Sequence, residues 1–137
     1  MAGIFYGSMT NTYSKATIST INYGGWSGED NSGLVGRING NIANSFSTAT
    51  FTCADCPYPS FGTSGYAYGG TLQNLFFNSV SGKPATCIRN LSLGCTEIVN
   101  NASYFYSKNN APLNSWDFTN IWVEQSGNYP ILLWETQ

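Results

Sequence analysis

One short unit comes back along this chain at a nearly fixed interval, and it limits the possible folds more than any other feature. The pattern is an apolar residue, any residue, Asn, any residue, then an aromatic: Met9-x-Asn11-x-Tyr13, Ile42-x-Asn44-x-Phe46 and Leu72-x-Asn74-x-Phe76. A degraded fourth copy is Ile98-x-Asn100-x-Ala102, with Tyr104 two places later. Successive Asn positions lie 33, 30 and 26 residues apart. A Gly-led apolar patch precedes each of the first three copies: Gly3-Ile4-Phe5, Gly33-Leu34-Val35 and Gly65-Tyr66-Ala67. A Ser/Thr alternation comes after the first two, SKATIST at 14–20 and STATFT at 47–52. A single supersecondary unit of this size cannot hide its own apolar face, whereas a stack of such units shares one core.

Within residues 41–52, an extended chain puts Ile42, Asn44, Phe46, Thr48 and Thr50 on one face and Ala43, Ser45, Ser47, Ala49 and Phe51 on the other. Stacking the units at ~4.8 Å per layer then sets Met9 over Ile42 over Leu72, and Tyr13 over Phe46 over Phe76. Asn11, Asn44 and Asn74 would form a ladder of side-chain amides. Glycines would mark the corners, where positive φ or close backbone approach is required. Gly, Ser, Thr, Asn and Tyr dominate over good helix formers, which also favours strands and tight turns. The expected fold is all-β, a parallel β-solenoid (β-helix) of three to four coils over residues 1–103. Residues 104–137 are expected to be a C-terminal capping segment of the same domain. Their Trp116, Phe118, Ile121, Trp122 and Val123, the turn at Gly127-Asn128, and the run Pro130 to Trp134 suit the covering of an exposed edge.

Composition excludes several functions. The 137 residues make one domain's worth of chain, with five basic and seven acidic residues and a net charge of −2. Five scattered cations cannot neutralise a run of phosphates, so nucleic acid is not an expected partner. There is no histidine, which removes the usual general base, the commonest metal ligand and every His-containing triad. Adjacent Glu29 and Asp30 point to opposite faces of an extended chain and make a poor glycosidase pair. The polar stretch Gly28 to Ser32 carries oxygen ligands suited to Ca²⁺, yet it reads more simply as a turn between units. No cofactor and no metal are expected, and the chain is not read as an enzyme. No apolar run is long enough to cross a membrane, so membrane insertion is not expected.

Cys53 and Cys56 form a C-x-x-C, but Cys87 and Cys95 are too widely spaced to complete a structural-zinc set. Two disulfides in an exported protein fit better. Four cysteines allow three pairings; the local ones, Cys53 with Cys56 and Cys87 with Cys95, are expected. No signal peptide is visible at the N-terminus, so the chain is expected to be a mature or excised piece of something longer, with its first strand edge bare or facing a neighbour.

The segment Gly33-Leu34-Val35-Gly36, with Asn41-Ile42-Ala43-Asn44-Ser45-Phe46-Ser47-Thr48-Ala49-Thr50 after it, resembles the GLUG motif. That motif is a repeat of large bacterial cell-surface proteins, including filamentous-haemagglutinin-type adhesins and IgA-protease-type metallopeptidases. The copy from Gly3 to Thr20 is a looser match, and the copy from Gly65 to Ser81 departs further, with Tyr-Ala after its glycine. Trp116 to Trp122 and Gly127 to Trp134 also resemble the segments found C-terminal to such arrays. The resemblance implies a parallel β-solenoid in a bacterial surface or secreted setting; it names no catalytic residue. The metallopeptidase relatives would need an H-E-x-x-H helix, which a chain without histidine lacks.

Any recognition is expected to be carried by loops between the coils, whose aromatics either meet a partner or pack the core and its loop covers. Tyr58, Phe61, Tyr66 and Tyr68 fall within eleven residues rich in Gly, Pro and Ser, and Tyr104, Phe105 and Tyr106 form a second cluster. Exposed aromatics give large contact area at small entropic cost. The expected role is that of a non-enzymatic structural or adhesive domain from a larger bacterial adhesin, secreted or at the cell surface. Its partners would be a host or neighbouring surface protein or glycan, or copies of itself. The competing roles are a subunit of a self-assembling extracellular filament and a carbohydrate-binding module using those aromatics.

Overall fold

The computed structural model describes residues 2–21, 32–54, 61–79, 86–89, 94–99, 101 and 103–137. The fold is all-β: among the described residues there are strands and short 3₁₀ turns but no α-helix. The first layer holds β1 (Ala2–Thr10), β2 (Tyr13–Ser14) and β3 (Thr17–Ile21). The second holds β4 (Val35–Ala43), β5 (Phe46–Ser47) and β6 (Thr50–Ala54). The third holds β7 (Phe61–Gly69), β8 (Leu72–Gln73) and β9 (Leu75–Ser79). Then come β10 (Thr86–Ile88) and β11 (Cys95–Val99), and finally β12 (Trp122–Gln125) and β13 (Asn128–Leu132).

Pairing runs between layers. One sheet has the order β1-β4-β7-β10, with β8 also on β4; a second is β11-β9-β5-β2; a third is β3-β6. All of these pairs are parallel, and among the described residues only the β12–β13 hairpin is antiparallel. The repeat sets the register. Met9 pairs with Ile42 and Ile42 with Leu72, while Tyr13 pairs with Phe46 and Phe46 with Phe76. Those are the neighbours expected from the sequence unit.

One column of residues turns the chain between sheets. Asn11, Asn44 and Asn74 have φ of 54°, 48° and 52°, so each sits in the left-handed region. Asn is the side chain that best tolerates this conformation after Gly. The amide ladder is present at one step, where Asn74 Nδ2 donates to Asn44 Oδ1 at 3.1 Å. Asn is therefore itself the corner residue as well as a rung. Gly7, Gly40 and Gly70 make a separate column along the first sheet, where layers approach closely: a Cβ on Gly40 would collide with Gly7 backbone, and one on Gly70 with Gly40 backbone.

The Gly-led prefix aligns differently from the sequence expectation. Ile4 pairs with Arg37 and Arg37 with Tyr66, which places Gly36, not Gly33, level with Gly3 and Gly65. The inward column decides this, because Phe5 pairs with Ile38 and Ile38 with Ala67, and both Ile38 and Ala67 are buried. Asn comes eight residues after this glycine in the first two layers and nine in the third. The extra residue is a β-bulge between the Ile38–Ala67 and Asn39–Gly69 pairs, and it is Tyr68.

The fourth copy is also out of the expected register. Cys95 pairs with Leu75 and Ile98 with Asn78, so the residue level with Asn74 is Gly94, whose φ is +83°. Glycine takes over the left-handed corner there.

Among the described residues two apolar clusters form the core. The first gathers Leu34, Val35, Ile38, Ile42, Ala67, Leu75, Phe77, Cys87 and Ile88 between the sheets. The disulfide expected between Cys87 and Cys95 is present and ties β10 to β11 beside this cluster. Cys56 lies outside the described residues, so the other expected pair has no structural account. The second cluster is an aromatic column. Tyr13 stacks on Phe46 at 5.1 Å between centroids, Phe46 on Phe76 at 4.5 Å, and Phe76 on Phe105 at 4.1 Å. Thr96, the backbone partner of Phe76, has no ring to offer, and Phe105 fills that level from a 3₁₀ turn (Tyr104–Tyr106).

The C-terminal segment packs along the side of the column. Trp122 touches Tyr13 and Phe46, Trp116 touches Phe46 and Phe76, and Tyr129 touches the same two rings. Trp116 Nε1 donates to the Asn74 carbonyl at 3.0 Å. The phenol of Tyr13 donates to Glu135, and burial together with that carboxylate pushes its pKa up to about 12.

Candidate interaction surface

A strand alternates its side chains, so the residues of β1, β4 and β7 that do not enter the first cluster face outward. In register they are Ile4, Arg37 and Tyr66, then Tyr6, Asn39 and the bulged Tyr68. Tyr6 is 70% exposed, Tyr68 61% and Ile4 54%, which is far from the usual state of large apolar side chains on a sheet. The Tyr66 and Tyr68 rings lie 4.7 Å apart and tilted, and Arg37 Cζ lies 6.0 Å from the Tyr68 centroid. Alternation puts Tyr66 and Tyr68 on the same outer face, and the bulge after Ala67 leaves Tyr68 without a register partner on β4.

Of the four aromatics expected to meet a ligand, the structure brings together Tyr66 and Tyr68 on the outer face of a sheet rather than in a loop. Tyr58 lies outside the described residues, and Phe61 begins β7. Sequence reading missed Tyr6, because a lone tyrosine in an alternating strand carries no signal until the register sets it beside Asn39. The second expected cluster is divided: Phe105 is buried in the aromatic column, whereas Tyr106 meets Tyr129 edge to face at 5.1 Å. Burial raises the Tyr129 pKa and the nearby Tyr106 adds to the rise, while a hydrogen bond from Asn78 opposes it.

Each carboxylate side chain of the described residues accepts a hydrogen bond from within the chain. Glu97 accepts the Cys87 N–H at 2.6 Å, and Glu135 accepts the Tyr13 phenol. Glu124 accepts the Lys108 N–H at 2.9 Å and lies 3.7 Å from its ammonium. Asp117 accepts from Asn120 and Thr119, bonds that hold its pKa below the usual carboxylate value. Glu29, Asp30 and Asp55 lie outside the described residues, as does most of the Gly28 to Ser32 stretch. Among the described residues no group of three or more Cys, Asp or Glu is placed to hold a metal ion, and no helix is long and apolar enough to cross a membrane.

No protein-family description matches the chain, and no curated protein or solved structure matches it significantly.

Proposed function

We propose that this chain is a parallel β-solenoid domain of the GLUG-repeat type, serving as a non-enzymatic structural or adhesive element that is secreted or displayed at a cell surface. The observation that carries the reading is the in-register parallel pairing of equivalent residues across successive units, with Asn at the same left-handed corner three times over. The Cys87–Cys95 disulfide supports an oxidising compartment. The outward face of Ile4, Tyr6, Arg37, Asn39, Tyr66 and Tyr68 serves as the contact surface for a protein or glycan partner. It is uncharged but for Arg37 and rich in rings, the chemistry of adhesive contact rather than of phosphate recognition. Beads coated with the purified chain test this. They should adhere to cultured epithelial cells, and the double variant Tyr6→Ala/Tyr68→Ala should lose most of that adhesion while keeping the wild-type melting temperature. Equal adhesion by the variant would remove the surface from consideration.

A filament subunit is the second reading. Among the described residues nothing pairs with the outer edge of β1, nine uncharged residues long. Against it, the Lys15 ammonium lies over the Tyr13 ring, 5.0 Å from its centroid, and puts a charge at that end of the aromatic column. Sedimentation over a hundredfold range of concentration separates the two, since filament growth requires mass to rise with concentration.

A further inference from the structure

The short 3₁₀ turn that ends the chain, Leu133–Thr136, holds out a tryptophan. Trp134 is 69% exposed although the residues around it are fixed in place. Leu133 N–H donates to the Ile121 carbonyl at 2.8 Å, the Thr136 hydroxyl donates to the Leu133 carbonyl at 2.7 Å, and Glu135 receives the Tyr13 phenol. The turn is thus tied on both sides of Trp134, and its backbone is set before any ligand arrives.

Beside the indole opens a cleft of about 410 Å³, lined by Asn11, Asn120, Ile121, Leu132, Leu133, Trp134 and Gln137. That is within the ~300–1,000 Å³ range of small-molecule sites. The lining divides into one aromatic plane, three aliphatic side chains and three carboxamides. Asn120 Nδ2 is engaged by Asp117 at 3.0 Å and Asn11 Oδ1 by Trp122 at 3.4 Å. Asn120 Oδ1, Asn11 Nδ2 and the Gln137 carboxamide have no hydrogen-bond partner among the described residues. Asn11 is at the cleft because the left-handed corner turns the chain there, and Asn120 because the Asp117 side chain caps the turn from Thr119 to Ile121.

We propose that this cleft is a saccharide-binding site. A pyranose ring has one apolar C–H face and a rim of hydroxyls that each both donate and accept. An exposed indole takes the first, and carboxamides, which also present one donor and one acceptor side, take the second. No charged side chain lines the cleft, so nothing cationic there would pair with a phosphate or a carboxylate ligand, and a neutral sugar is favoured. The site shares no residue with the Tyr6–Tyr68 face, so the inference stands or falls apart from the adhesive reading.

The full chain is titrated with glucose, galactose, N-acetylglucosamine and their β-1,4-linked dimers, monitored by tryptophan fluorescence and saturation-transfer NMR. At least one sugar should bind with a Kd in the millimolar range or below. Trp134→Ala should weaken it by ~10-fold or more, Trp134→Tyr should weaken it only a few-fold, and Tyr68→Ala should leave it unchanged. Because Trp134 faces solvent, melting temperatures of the variants should match the parent, so a loss of binding is not a loss of fold. The proposal is overturned if none of the six sugars gives a signal at tens of millimolar, if Trp134→Ala keeps wild-type affinity, or if Tyr68→Ala abolishes binding while Trp134→Ala does not.

Discussion

Replacing Asn44 separates the two duties that the corner asparagine performs. Its side chain accepts the Asn74 amide at 3.1 Å, and its backbone sits at φ 48°. Losing one such hydrogen bond costs ~0.5–1.5 kcal/mol net. Holding a residue with an ordinary Cβ in the left-handed region costs a further ~1–2 kcal/mol, a penalty that glycine escapes. Asn44→Ala should therefore destabilise the chain by ~2–3 kcal/mol. Asn44→Gly loses the same bond and also gains unfolded-state freedom worth ~0.5–1 kcal/mol, for a total of ~1–2 kcal/mol. Alanine should be the worse substitution by about 1 kcal/mol, the reverse of their order in ordinary extended backbone. Urea unfolding midpoints at unchanged m-value measure both. Asn39 on β4 lies outside the left-handed region and is the control, where glycine should be the worse of the two. If Asn44→Gly proves less stable than Asn44→Ala, the conformational argument for these corners is wrong.

The other expectations concern the core, the crosslink and pH. Phe46 is fully buried between Tyr13 and Phe76, so Phe46→Ala should cost ~3–5 kcal/mol and Phe46→Leu, which refills most of the volume, clearly less; equal losses from both would show that the ring itself, and not buried apolar volume, is what the site uses. Cys87→Ala/Cys95→Ala opens a loop closed across a separation of 8 residues and should lower stability by ~2–3 kcal/mol, read from denaturation midpoints; a loss below ~1 kcal/mol would place the constraint elsewhere. The Tyr13 phenol is raised to about 12, chiefly by burial and then by Glu135, so its stabilising bond is intact below pH 10 and disappears as pH rises through 12. The stability gap between wild type and Tyr13→Phe should thus narrow over that window, and a gap constant up to pH 12 would contradict it.

The sequence unit foretold the layers because a period of about thirty residues leaves few ways to hide alternating apolar residues, and Met9, Ile42 and Leu72 did become neighbours. The Gly-led prefix was matched three residues away because Gly33 and Gly36 stand equally close to apolar residues; only the inward column of Phe5, Ile38 and Ala67 distinguishes them. The fourth layer was misaligned for a related reason. Its corner is Gly94 rather than Asn, and its missing ring is supplied by Phe105 from further along the chain, so the local pattern carried neither. Tyr66 and Tyr68 were legible as a pair because residues two apart on a strand share a face, whereas the bulge at Tyr68 shows only as one extra residue before Asn74. The cleft beside Trp134 had no sequence signature, since Asn11 and Gln137 meet there from opposite ends of the chain.

Trp122, Trp116 and Tyr129 lean on rings contributed by three successive layers, and Tyr13 and Glu135 close the brace near the two ends of the chain. A pile of plates held only face to face would peel apart one plate at a time under tension. A strut bolted to every plate forces the load to be shared, so pulling the termini of this chain should give a single rupture in a force–extension trace instead of a staircase, and a staircase would show the strut to be slack.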